Sequence, residues 1–131
     1  MYENGHGVPK DDAEAVKWFR LAADQGYAMA QHSLGVMHDS GHGVPQDYAE
    51  AMKWYRLAAD QGFVFAQNAL GPMSERGEGV PINNVEAYAW FSVAAASDYA
   101  KAVEARDALT SKLTPEQLSQ GQKTAGEPFK R

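Results

Sequence analysis

Seven letters recur unchanged in this chain: RLAADQG occupies residues 20–26 and again 56–62, 36 positions apart. Sliding the chain by 36 aligns GHGVPKDDAEAVKWFRLAADQGYAMAQHSLGVMHDS (5–40) with GHGVPQDYAEAMKWYRLAADQGFVFAQNALGPMSER (41–76), identical at 23 of 36 positions. A third copy, GEGVPINNVEAYAWFSVAAASDYAKAVEARDALTSK (77–112), keeps the register more loosely. Tryptophan stands at 18, 54 and 90, and Gly-x-Gly-Val-Pro begins at 5, 41 and 77. A period of this length restricts the fold more than any other feature. Such units cannot bury their apolar faces singly and must stack.

Each unit reads as two helices. Asp11, Asp47 and Asn83 are followed three residues later by Glu14, Glu50 and Glu86. That is the spacing of a capping box, in which the first side chain accepts from a free N–H of the opening turn and the glutamate reaches back. A proline two residues before each cap cannot belong to a preceding helix, so the first helix is expected over 11–23 and 47–59. Gly26 and Gly62 supply the left-handed residue that ends it. A second helix is expected over 28–39 and 64–75, closed by Gly41 and Gly77, while Asp98 replaces the turn glycine in copy three. Pro72 stands where copy one has Val36 and is expected to bend or break its helix near 68–72, because it offers no N–H to the Asn68 carbonyl. After the third copy, Thr114-Pro115-Glu116-Gln117 is a further capping box, and a final helix over 115–124 should cover the last repeat.

Ala30, Leu34 and Gly35, then Gly41-x-Gly43-Val44, Asp47, Ala51, Trp54, Ala58-Ala59 and Gly62, together resemble the Sel1-like repeat, a helical hairpin akin to the tetratricopeptide repeat. The resemblance covers residues 5–112. It implies an all-α fold: a right-handed α-solenoid of three Sel1-like helical-hairpin repeats (5–40, 41–76 and 77–112). A C-terminal capping helix and tail (113–131) complete a single domain, with 1–4 the remnant of a preceding helix. It also implies a scaffold for protein complexes, of the kind common among bacterial adaptors and extracytoplasmic regulators. One departure stands out. The family's aromatic residue late in the second helix is matched by Tyr2, but by His38 and Ser74 in the later copies.

Composition removes other classes. A net charge of −5 with scattered lysines and arginines argues against a nucleic-acid surface. No apolar run approaches the ~18–20 residues of a membrane span, and the absence of cysteine excludes disulfides and thiolate metal sites. The cytoplasm and a bacterial periplasm are equally compatible with this composition.

Candidate chemistry is sparse. Gly-x-Gly-Val-Pro lacks the Lys-Ser/Thr of a P-loop and the third glycine of a dinucleotide fold, and reads as a helix stop followed by a turn. His32, His38 and His42 invite a zinc reading, but Gly41 should end the helix between the last two and spoil their spacing. No carboxylate pair, Ser–His–Asp order or Cys–His pair stands out. The sequence therefore points to no catalytic residue, metal or cofactor. The three tryptophans, at helical positions and one period apart, read as core.

The first two copies differ at 13 positions, and nine of these fall in 27–40 against 63–76. With Ala30, Leu34 and Gly35 taken as the packed face, helical spacing puts a stripe on the opposite side. It runs through Met29, His32, Ser33, Val36 and Ser40, then Phe65, Asn68, Ala69, Pro72 and Arg76, then Lys101, Glu104, Ala105, Ala108 and Lys112. Apolar groups rimmed by polar ones are what an interaction surface offers. A scaffold binding a peptide or partner protein along its concave face is the expected function. Met29, Val36 and Phe65 would supply apolar contacts, and His32, Asn68 and Arg76 orientation. Two alternatives stay open: an enzyme or metal-dependent activity built on the same helices, and a purely structural segment of a longer array. The helix at 11–23 should also expose an upstream face, with some of Val16, Phe19 and Ala23 among its residues, and self-association through this open N-terminal end is expected to cover it.

Overall fold

A computed structural model of the chain describes residues 8–126, which form seven helices and no strand. They are α1 (Val8–Asp24), α2 (Ala28–Ser40), α3 (Tyr48–Asp60), α4 (Val64–Arg76), α5 (Asn84–Ala95), α6 (Ala100–Thr110) and α7 (Pro115–Ala125). From α1 to α6 each helix packs on its neighbours in sequence, and α7 turns back onto α5. The result is an α-solenoid of three hairpins with a terminal cover. The remnant helix assigned to 1–4 and the tail beyond 126 lie outside the described residues.

The turn motif has a concrete structural task. Gly41 and Gly77 end α2 and α4 in the left-handed region (φ 77° and 78°), each N–H donating to the carbonyl four residues back, Met37 and Met73. The second glycine of each motif has a positive φ and also passes hard against an earlier helix. A β-carbon on Gly43 would lie 2.6 Å from the Asp12 carbonyl oxygen, and one on Gly79 2.8 Å from that of Tyr48. In copy three Asp98 keeps the left-handed turn (φ 62°), which aspartate tolerates better than most residues.

The capping boxes are only half built in copies two and three. Asp47 and Asn83 accept from the Glu50 and Glu86 amides at 3.1 and 3.0 Å, as expected, but neither glutamate reaches back. The reason is that the cap amides are already used: Asp47 N donates to the His38 carbonyl at 2.9 Å, and Asn83 N to the Ser74 carbonyl at 2.8 Å. The glutamates are free to pair elsewhere, Glu50 with Lys53 and Glu86 with Arg56. At Thr114 no such backbone partner intervenes, and the reciprocal box with Gln117 forms in full. Helix α1 starts at Val8 rather than after Asp11, so Asp11 lies inside it. Proline is tolerated in a first helical turn, and no described helix precedes α1 to hold its leading segment extended.

Pro72 does not break α4, which runs continuously over 13 residues like α2. Leu70, Gly71, Met73 and Ser74 around it are all buried. That packing outweighs the local loss of one ladder bond.

The core is laid down between successive hairpins. Trp54 of α3 packs on Val16, Ala23, Ala30 and Leu34 of the first hairpin. Trp90 of α5 joins Tyr55, Ala59, Ala66 and Leu70 of the second. Each of these tryptophans thus covers the hairpin before it. Trp18 is the exception to the expected tryptophan core: it is 59% exposed, because no described hairpin precedes it. For the same reason the exposed face of α1 is carried by Trp18 and Leu21, not by Val16 and Ala23, which lie buried in the cluster with Trp54, nor by Phe19, which is half-buried against it.

Glycine at positions 35 and 71 marks where adjacent hairpins touch most closely. A β-carbon on Gly35 would lie 2.5 Å from Cδ1 of Tyr55, and Phe91 sits against Gly71 in the same way. The capping helix repeats the device with Gly121 against Tyr88. Leu118 of α7 adds to the cluster of Tyr88, Phe91 and Leu109.

Candidate functional site

The variable helices α2, α4 and α6 each begin after an aromatic residue, Tyr27, Phe63 and Tyr99, in extended conformation. Those three positions are one period apart, so the solenoid lines them up along one end of the helices. Phe63 and Tyr99 join residues of the expected stripe in an aromatic run. The His32 ring lies 5.3 Å from Tyr55, 5.3 Å from Phe63 and 6.5 Å from Phe65, centroid to centroid. Phe65 meets Phe63 edge-on at 5.8 Å and Tyr99 at 5.6 Å. Such edge-to-face pairs hold ring orientations beyond what apolar burial alone supplies.

His32 and Phe65 are the stripe residues that this run brings together. Phe65 remains 52% exposed, and Met29 and Val36 are 69% and 43% exposed, which leaves apolar surface uncovered on α2 and α4. His32, Ser33, Asn68 and Pro72 are half-buried rather than solvated. At position 32 the cause is visible, since Tyr55 and Phe63 close over the imidazole. Arg76 is exposed and 3.9 Å from Glu78, while Lys101 and Glu104 stand exposed on α6.

The electrostatics of this region favour neutral groups. Burial pushes the His32 imidazole below the usual histidine value, and its Nδ1 is buried without a partner. Tyr55 is raised well above the ordinary phenol by burial, by the Asp39 charge and by the 3.2 Å bond its hydroxyl donates to that carboxylate. A site of this kind suits apolar and aromatic groups better than ions. His42 bonds Ser40 at 2.7 Å, and among the described residues no three His, Asp or Glu side chains converge as a metal would require.

Sequence reasoning missed Tyr55, Phe63 and Tyr99 as parts of this region. Their recurrence at 36-residue spacing was the available signal for Phe63 and Tyr99. Tyr55 was hidden because it belongs to the nearly invariant first helix of its repeat.

A Sel1 repeat profile matches the chain at residues 1–27, 28–63 and 64–103. Among solved structures, a protective antigen present in uropathogenic Escherichia coli strains, displaying an SLR fold, aligns with a TM-score of 0.86 at 38% identity over 89% of this chain. A Sel1 repeat protein from Oxalobacter formigenes aligns with a TM-score of 0.68 at 37% identity over 70% of it. The alignments cover 25% and 26% of those longer chains, so this chain spans about a quarter of each. Among curated proteins none matches the sequence significantly.

Proposed function

This chain belongs to the Sel1 repeat family, and from that premise we propose that it is a protein-interaction scaffold whose partner lies along α2, α4 and α6. The family's solenoids are in general scaffolds for protein partners. The observation that carries the finer reading is the uncovered apolar surface of Met29, Val36 and Phe65 around the aromatic run from His32 to Tyr99. It coincides with the helices in which copies one and two diverge. The aromatic run would anchor an apolar or aromatic side chain, as buried aromatic anchors do at many interfaces, and Asn68, Arg76, Lys101 and Glu104 would set polarity at the rim.

A photo-crosslinker at Val36 tests the assignment against one at Leu57, which is equally exposed (43%) but lies on α3. Crosslinked partner from position 36 and none from 57, with loss of the adduct in a folded Phe65→Asp variant, is the expected result. Equal labelling from both positions would remove the stripe from consideration. Trp18 and Leu21 at the N-terminal end form a second exposed apolar face, and self-association there is the companion expectation. Light scattering at rising concentration, for wild type and Trp18→Asp, reads it out.

A further inference from the structure

Four residues of α1 are uncovered where their counterparts in the later copies are buried. Trp18 is 59% exposed, against 7% for Trp54 and 5% for Trp90. Ala15, Phe19 and Ala22 are half-buried, whereas Ala51, Tyr55 and Ala58 of α3 and Ala87, Phe91 and Ala94 of α5 are buried. Positions 15, 18, 19 and 22 fall on one helical face. In α3 and α5 the preceding hairpin occupies that face, with Tyr55 seated on Gly35 of α2 and Phe91 on Gly71 of α4.

The opposite end of a second copy does not offer α1 such a seat. At the register of Leu34-Gly35 and Leu70-Gly71, α6 carries Arg106 and Asp107, joined to each other at 3.2 Å. A ring cannot settle on those side chains as it does on glycine. Helix α7 also closes that end, packed on α5 and presenting Gln117, Gln120 and Lys123 to solvent. The α1 face itself has the same pattern in both directions: Ala15-x-x-Trp18-Phe19-x-x-Ala22. A face symmetric about its own midpoint is complementary to a copy of itself turned end for end, which is the condition for a closed two-fold contact.

From this we propose that the α1 face docks onto the α1 face of a second copy, the two helices antiparallel about a two-fold axis between Trp18 and Phe19. Trp18 then faces Phe19 of the second copy, twice over, and Ala15 faces Ala22. Helix side chains lean towards the N-terminus, so each tryptophan also lies over the second copy's Ala22 and fills the space that paired alanines leave. The rings bury one another and so replace the cover that a preceding hairpin gives Trp54 and Trp90. The contact closes on itself and yields a dimer, not a filament. One helix face is small beside standard interfaces of about 1,200–2,000 Å², so the dimer should be weak. This pairing rests on the self-association expected at the N-terminal end, to which it gives an orientation, and owes nothing to the stripe on α2, α4 and α6.

The chain has no cysteine, so single cysteines report the pairing cleanly. Ala15→Cys and Ala22→Cys chains are air-oxidised, each alone and mixed, and disulfide-linked dimer is read on non-reducing gels. At about 1.5 Å per residue the two positions stand roughly 10 Å apart along the helix, beyond the roughly 7 Å over which two cysteine α-carbons can be bridged. The mixture should therefore give at least tenfold more linked dimer than either chain alone. In light scattering, the wild type should rise with concentration from 14.3 kDa and level off at twice that mass. Trp18→Asp should raise the dissociation constant at least tenfold with its helical circular dichroism retained, and Trp18→Ala replaces it should the aspartate variant fail to fold. Linking in either cysteine chain alone, or none in the mixture, overturns the pairing even where association through Trp18 stands. A mass that climbs past the dimer, a strict monomer, or association unchanged in the Trp18 variant overturns it as well. Phe65→Asp should leave the dimer intact, so a failure of the stripe is read separately from a failure here.

Discussion

Replacing Gly35 by alanine sets helix propensity directly against packing. On an exposed helix the change stabilises by about 1 kcal/mol. Here the new methyl would lie 2.5 and 2.6 Å from Cδ1 and Cε1 of Tyr55, well inside contact distance. The ring has little freedom to withdraw, being 3% exposed and tied to Asp39 through its hydroxyl at 3.2 Å. Overpacking of this kind costs about 1–3 kcal/mol, and displacing the ring would also weaken a bond to a charged acceptor worth about 1.5–3 kcal/mol. After the propensity gain, a net loss of about 1–3 kcal/mol is expected. Urea unfolding of wild type, Gly35→Ala, Tyr55→Leu and the double variant measures it. Leucine leaves room for the methyl, so the double variant should lose about 1–2 kcal/mol less than the sum of the singles. A Gly35→Ala protein as stable as wild type, or a strictly additive double variant, would refute the reasoning.

Trp54→Ala should cost about 3–5 kcal/mol as a buried aromatic deletion, whereas Trp18→Ala, at a site 59% exposed, should cost below about 1 kcal/mol; comparable losses in thermal unfolding would contradict the exposed end. In copy two Gln61 Nε2 donates to the Gly26 carbonyl and to Gln31 Oε1, both at 2.9 Å, but its counterpart in copy three is Ser97, and Gln67 Oε1 is left buried without a partner. Ser97→Gln should restore the link and gain about 0.5–1.5 kcal/mol, and an unchanged denaturation midpoint would count against it. Burial holds His32 below the ordinary value of 6.5, and His38 likewise despite the opposing pull of Glu50 and Asp47, with Arg20 and Lys53 acting in the same sense as burial. The unfolded chain then binds more protons, so stability is complete above about pH 6.5 and falls as the pH drops through that value towards the folded ones. Urea midpoints at pH 8 and 5.5 should show this fall, and substituting copy two's residues, His32→Asn with His38→Ser, should reduce it; an unaltered dependence in that variant would show that these histidines do not carry it.

The 36-residue period was enough to determine the hairpin order and the turn glycines, because each depends on local backbone chemistry repeated in register, and the capping helix was legible from its own Thr114–Gln117 box. Asp47, Asn83 and Thr114 cap as their spacing implied. What repetition could not supply is position within the array. Three tryptophans identical in register have different fates: Trp54 and Trp90 are buried by a preceding hairpin, and Trp18 is not. The half-built capping boxes have the same origin, since a carbonyl from an earlier helix takes the amide that a local rule assigns to glutamate. The stripe beginning at Met29 was legible as a face of a helix, but its partial closure by Tyr55 and Phe63 was not. Capping, turn and helical periodicity are set by residues within a few positions of one another and can be read along the chain. Burial, orphaned polar atoms and empty volume are set by residues one repeat away, and only the stacking of the hairpins decides them.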